Sequence, residues 1–294
     1  MKLTHGQAVW LMVAVTSLWS IAGVVTRQLE HARSFEVTFW RSLFTVVSLL
    51  IILPLVQGRQ TFRKMPWRSA YFWLSGLCWC VMFTAFMLAL TLTAVANVLI
   101  TLALGPLMTA LLGRLTTGQP LPWRTWCAIG LAGLGISWMF ASQIHVNSPG
   151  FWLGVLIAVC VPLAGAVQWN LVQRSHAQGL DLDLVPSVLL GAALSTAFTL
   201  PLALPFQASA TDVQWLALLG LFQLAIPCVL SVLCAKVLKA AEVSLLALLE
   251  VVFGIGLAWL GAHEEPSAQV LWGGSIVLCA LVMNELFAWR ERND

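Results

Sequence analysis

Apolar residues run through this chain in long continuous stretches, with neither the alternation of a half-buried strand nor the single apolar face of a surface helix. Between Arg68 and Arg114 there is no charged residue at all. That stretch is more than twice what one membrane helix needs. Its only polar break lies near Thr91 and Thr93, so it reads as two spans joined by a very short turn. The same pattern predicts further spans, ten in all, at about 7 to 27, 36 to 56, 68 to 90, 94 to 114, 123 to 141, 150 to 173, 184 to 206, 214 to 236, 242 to 261 and 268 to 289. A membrane barrel would show apolar and polar residues in alternation, so the expected fold is an all-α polytopic membrane protein.

Composition agrees with this reading. Of 294 residues, 60% are hydrophobic and 9% charged, against the roughly one quarter charged of a soluble domain. Ten spans leave no room for a soluble catalytic domain. The cations give orientation. With a cytoplasmic N-terminus, Lys2, Arg59, Arg63, Lys64, Arg68, Arg114, Arg124, Arg174, Lys236, Lys239, Arg290 and Arg292 lie inside, and only Arg27 and Arg33 outside. Both termini are therefore expected in the cytoplasm, and the protein in the cell (inner) membrane. The net charge of +3 is spread over separate segments and forms no nucleic-acid surface. The first span lacks a small-residue cleavage site and reads as a retained anchor. All seven cysteines fall within spans without zinc spacing, so no metal and no cofactor is expected.

Shifting the sequence by 146 positions aligns Ala89 with Ala235, Leu99 with Leu245, Pro120 with Pro266 and Trp126 with Trp272; Ala22-Gly23 recurs as Ala164-Gly165. Residues 1–146 and 147–294 thus read as two repeats of five spans. Five is odd, so the second repeat must cross the membrane in the opposite sense. Such an inverted repeat suits a midplane site that opens alternately to each side.

Residues 89 to 112, ALTLTAVANVLITLALGPLMTALL, resemble the fourth-span motif of the drug/metabolite transporter superfamily, EamA branch, in which a small-residue run leads to Pro-Leu-x-x-Ala. Phe39-Trp40-Arg41-Ser42-Leu43 is similar to its second-span arginine motif, and Ala164 to Arg174 to its sixth-span pattern. His263-Glu264-Glu265-Pro266 with Gly273-Gly274 resembles the acidic turn and glycine pair before the last span. The likeness implies a carrier that exports amino acids and other small metabolites, and one set of members, YddG-like, exports aromatic amino acids. Val252 stands where the second repeat often has proline, which argues against gating by symmetric proline kinks.

Arg41 lies inside the second span, where an unpaired arginine costs on the order of 2.5 to 3.5 kcal/mol. It either meets a substrate carboxylate, or snorkels to the outer interface and clamps the loop around Glu30 and Glu36. Glu250, near the middle of the ninth span, either binds a substrate ammonium or carries a proton, or else is a protonated acid held between helices. Depth along the axis places the two roughly 10 Å apart, too far for a direct pair. Gln223 and Asn97 are expected toward a cavity, with Gln168 a further polar candidate, although interhelical hydrogen bonding accounts for such residues equally well. Trp19 and Trp79 sit deeper than the interfacial tryptophans and could line an aromatic pocket. Gly130, Gly133 and Gly135 lie within a span and read as helix packing rather than a nucleotide loop. Pro106, Pro162, Pro201 and Pro227 bend spans.

No histidine or aspartate lies well inside a span, so an intramembrane enzyme lacks its catalytic set. The reading is a transporter, not an enzyme: an exporter of amino acids, aromatic and other neutral ones, working by alternating access. Carriage of another metabolite or drug-like solute is the alternative, followed by a lipid-translocating protein. Its partners are the small-molecule substrate and the lipid bilayer. One chain holds both repeats, so a complete site could form within a monomer, and the oligomeric state stays open. Facilitated diffusion and proton coupling both stay open.

Overall fold

The structure, a computed structural model, describes residues 3–32, 34–117, 123–141, 150–180 and 182–293. Lys2, Arg33, Pro120 and His145 lie outside the described residues, as do the side chains of Arg124, His176, Asn284, Glu285, Trp289, Arg290 and Arg292. Among the described residues every regular element is helical. The elements are α1 (His5–Trp19), α2 (Ile21–Thr26), α3 (Ser34–Gln57), α4 (Ala70–Leu92), α5 (Val95–Leu102), α6 (Gly105–Thr117), α7 (Trp123–Ala141), α8 (Phe151–Ala177), α9 (Ser187–Ala203), α10 (Ala210–Leu218), α11 (Ile226–Ala235), α12 (Ala240–Ala262) and α13 (Ala268–Asn293).

Among the described residues, seven helical stretches are long and apolar enough to cross a membrane: His5–Thr26, Ser34–Gln57, Ala70–Leu92, Val95–Thr116, Phe151–Ser175, Ala210–Ala235 and Glu242–Ala262. Three shorter apolar stretches, Trp126–Gly135, Ser187–Ala203 and Ala268–Ala280, fall where the fifth, seventh and tenth spans were expected. At 17 residues, α9 reaches about 26 Å, a little short of a hydrocarbon layer of about 30 Å.

Local sequence explains where the helices break. Thr93 and Ala94 alone separate α4 from α5, as the polar break between the third and fourth spans implied. Pro106 cannot donate to the Leu102 carbonyl, and the chain turns between α5 and α6 at that point. At Val252, 146 positions on from Pro106, α12 runs unbroken. Pro227 likewise leaves the Gln223 carbonyl without its usual donor. Leu219–Ala225 widens into a π-helical segment, shown by the Ile226 N–H bonding Leu221 O.

α4 lies between α8 and α9, α3 packs on the other side of α9, and α7 pairs with α13. The α4–α9 approach depends on Gly191, where an added Cβ would sit 2.3 Å from Trp79 Cβ and 2.8 Å from the Gly76 carbonyl. Buried apolar side chains form two clusters. One holds Val25, Leu90, Val95 and Leu219, and the other Met12, Leu53, Phe72 and Leu238, with Met82 packed against both.

Hydrogen bonds sort the connections into two matching groups. In the first, Arg27 donates to Glu264 Oε2 (2.7 Å), Leu90 O (3.0 Å) and Thr93 O (3.1 Å), while Glu264 Oε1 accepts from the Val95 N–H (2.7 Å). A cation thus meets the carbonyl end of α4 and an anion meets the N-terminus of α5, as their dipoles favour. In the same group Asp212 accepts from the backbone N–H groups of Glu30, His31 and Ala32. In the second group, Lys236 pairs with Asp183 at 3.0 Å, Tyr71 donates to Gln178 and Arg174 to Thr116 O.

Candidate binding cavity

Between the two apolar clusters lies a cavity whose empty space, open mouth included, is about 840 Å³. Side chains of α1, α3, α4, α6, α8, the π segment, α11 and α12 line it, together with Leu102 of α5. Its walls are mostly apolar and aromatic: Trp19, Trp79, Phe83, Phe86 and Trp169 face one chamber. Trp79 meets Phe83 at 5.5 Å and Trp169 edge-on at 6.0 Å. Pro106 and Pro162 also line it, Pro106 at the turn between α5 and α6 and Pro162 within the continuous α8.

Arg41 is placed there by helix periodicity. Its neighbours Phe39 and Trp40 point away and pack on Phe206, and Ser42 bonds Ser195 of α9. At Gly220 an added Cβ would come within 2.9 Å of the Arg41 carbonyl, so only glycine allows the π segment this close to α3. One turn on, Gln223 Oε1 accepts from Arg41 Nη1 at 3.1 Å, and its amide nitrogen reaches Trp19 O at 3.4 Å. Arg41 Nη2 donates to Phe83 O, and the guanidinium lies 6.0 Å from the Phe86 ring centre.

Arg41 is fully buried, has no carboxylate within ion-pair distance among the described residues, and its Nε has no partner. The snorkelling and loop-clamp alternative is not what is seen. Glu36 instead accepts from the backbone N–H groups of Gln207 and Ala208. Trp79 Nε1 is a second buried donor without a partner in the same wall. Glu250 also lines the cavity, half-buried, and makes no hydrogen bond or ion pair among the described residues. Among the described residues, Arg41 and Glu250 are the only charged side chains in the lining.

Five of the seven candidate residues thus come together: Trp19, Arg41, Trp79, Gln223 and Glu250. Asn97 and Gln168 do not line the cavity, which corrects the expectation for both. Asn97 is turned to the Thr93 hydroxyl at 3.2 Å, near the start of α5. Gln168 accepts from Ser75, which also bonds Ser187, in a buried cluster that joins α8, α4 and α9. Interhelical bonding claims Gln168, and a local bond one turn back claims Asn97. Sequence reasoning missed Phe83, Phe86 and Trp169. The spacing of Trp79, Phe83 and Phe86 puts them on one face of a charge-free span, a stripe the sequence does carry.

No curated protein matches the sequence. Solved structures do, through 28 chains. One, described only as the crystal structure of a protein, has 17% identity and a TM-score of 0.68, with 98% of this chain and 99% of that chain covered. It shows the fold alone. The family comparison bears on the first half of the chain, where residues 6–141 match the EamA-like transporter family.

Proposed function

We propose that this protein is an alternating-access transporter that exports small metabolites, chiefly aromatic and other neutral amino acids, across the inner membrane. It does so with ten spans in two inverted five-helix repeats, residues 1–146 and 147–294, both termini being cytoplasmic. The match of residues 6–141 to the EamA-like transporter family and the seven membrane-length apolar helices support a membrane carrier.

The observation that carries the substrate reading is the composition of the cavity wall. An arginine without a carboxylate partner and a carboxylate without a cation partner, among the described residues, face one aromatic chamber. A ligand with a carboxylate, an ammonium and an apolar side chain complements all three features. In this reading Arg41 receives the carboxylate, Glu250 faces the ammonium, and Trp19 and Trp79 with their aromatic neighbours pack the side chain. A single cation in the lining is poorly suited to a phosphate-bearing ligand, which recruits clusters of Arg and Lys.

The test is uptake of labelled phenylalanine, tryptophan, methionine and alanine into proteoliposomes holding the purified protein, with and without a pH gradient. Saturable uptake without the gradient establishes a facilitative amino-acid carrier. Uptake that needs the gradient establishes proton coupling, with Glu250 the carboxylate in the lining to test for it by Glu250→Gln. No uptake of any of the four under either condition overturns the amino-acid reading.

A further inference from the structure

A second cavity lies on the side of the bundle, away from the first. It is a groove between α3, α4 and α9 whose empty space, open side included, is about 520 Å³, walled by Val46, Leu50, Phe72 and Leu189, with Met65 and Trp67 supplied by the connection from α3 to α4. It shares no lining residue with the central cavity. The lining is entirely apolar, and Leu50 and Trp67 are about half exposed (49% and 50%) on a surface that faces hydrocarbon in a membrane-spanning bundle.

The connection that closes one end of the groove is cationic. Over residues 58–69 it carries Arg59, Arg63, Lys64 and Arg68 and no acid. A short 3-10 turn, Thr61–Lys64, pins it through the Thr61 hydroxyl on Gly58 O, which leaves Arg63 and Lys64 exposed immediately before Met65. Arg68 is exposed immediately after Trp67. None of the four cations has an ion-pair or hydrogen-bond partner for its side chain among the described residues. Asp183, three residues before Pro186 of the groove wall, is already engaged by Lys236 and Gln57.

We propose that this groove binds one anionic phospholipid, with an acyl chain between α3, α4 and α9 and its phosphate-bearing headgroup against Arg63, Lys64 and Arg68. The two halves of the site match the two halves of the ligand. The apolar walls exclude a soluble anion. The unpaired charges favour an anionic headgroup over a zwitterionic one, as basic sites at the ends of membrane helices do. Trp67, at the junction of the two, occupies the interfacial depth that tryptophan prefers. The site is independent of the transport reading, since none of its residues lines the central cavity.

The experiment is native mass spectrometry of the purified full-length protein titrated with phosphatidylglycerol or phosphatidylcholine of identical chains. Phosphatidylglycerol should occupy one site well before phosphatidylcholine does. Arg63→Gln, Lys64→Gln and Arg68→Gln, combined stepwise, should weaken phosphatidylglycerol by roughly five-fold per charge removed. Ala193→Trp, which fills the exposed groove wall with every cation in place, should weaken it as well. Glycerol phosphate, the headgroup without chains, should not compete. Equal binding of the two lipids by the unaltered protein overturns the proposal. So does undiminished phosphatidylglycerol binding by the triple variant, or competition by glycerol phosphate equal to that of intact lipid.

Discussion

Replacing Arg41 by methionine separates a binding role from a structural one, because the two roles predict opposite patterns. The side chain is fully buried with no anionic partner among the described residues, and taking a cation out of water costs several kcal/mol even after relaxation. Against this stand two hydrogen bonds, to Gln223 Oε1 and Phe83 O, each worth about 1.5 to 3 kcal/mol with a charged donor. The Phe86 ring at 6.0 Å adds under about 1 kcal/mol. These terms nearly cancel. Methionine fills similar space without the desolvation cost and leaves one acceptor, Gln223 Oε1, unpaired at about 1 to 3 kcal/mol. The expected change in stability is therefore within about 2 kcal/mol, a shift of a few degrees in the unfolding midpoint.

Substrate binding should respond far more. Loss of a charge-assisted bond to a carboxylate at about 1.5 to 3 kcal/mol is roughly a 10- to 150-fold loss of affinity. The assay pairs a thermal unfolding curve in detergent with competition in proteoliposomes by an amino acid and by its amide, which lacks the carboxylate. Arg41→Met should weaken the acid and leave the amide unchanged. A collapse of the midpoint by more than about 10 °C, with the acid bound as well as before, would make Arg41 a strut between α3, α4 and the π segment and refute the reasoning.

Glu250→Gln should preserve folding and abolish any dependence of uptake on the pH gradient; transport with unchanged pH dependence would leave Glu250 a structural group. Gly191→Ala should lower the unfolding midpoint, because its Cβ would lie 2.3 Å from Trp79 Cβ and overpacking of this kind costs about 1 to 3 kcal/mol. An unchanged midpoint would show that α4 and α9 separate freely. Arg27→Ala and Glu264→Ala should each destabilise by about 1 kcal/mol, since the ion pair is part-exposed and most of the loss comes from uncapped ends of α4 and α5. Limited proteolysis near Thr93 is the readout, and resistance equal to the unaltered protein counts against a capping role.

The pattern of apolar runs was enough to place the helices. A membrane leaves backbone groups no partner but their own helix, so any sufficiently long charge-free stretch must be helical, whatever it packs against. The same logic singled out Arg41 and Glu250, because a charge within such a stretch is costly wherever its side chain points. Pro106 and Pro227 announced breaks in the ladder from chemistry local to the chain.

What each polar side chain meets was not local information. Asn97 and Gln223 are both neutral amides buried within spans, yet one turns to Thr93 and the other to Arg41. The difference lies in helix rotation and in which neighbour has a glycine at the crossing, such as Gly220 against the Arg41 carbonyl. Apolar sequence leaves rotation underdetermined, since lipid and protein interior are equally oily and every face of such a helix reads alike. Composition and the cost of unpaired groups in hydrocarbon therefore settled that this chain is helical and membrane-borne. Only the close packing of helix on helix decided which few side chains share one cavity.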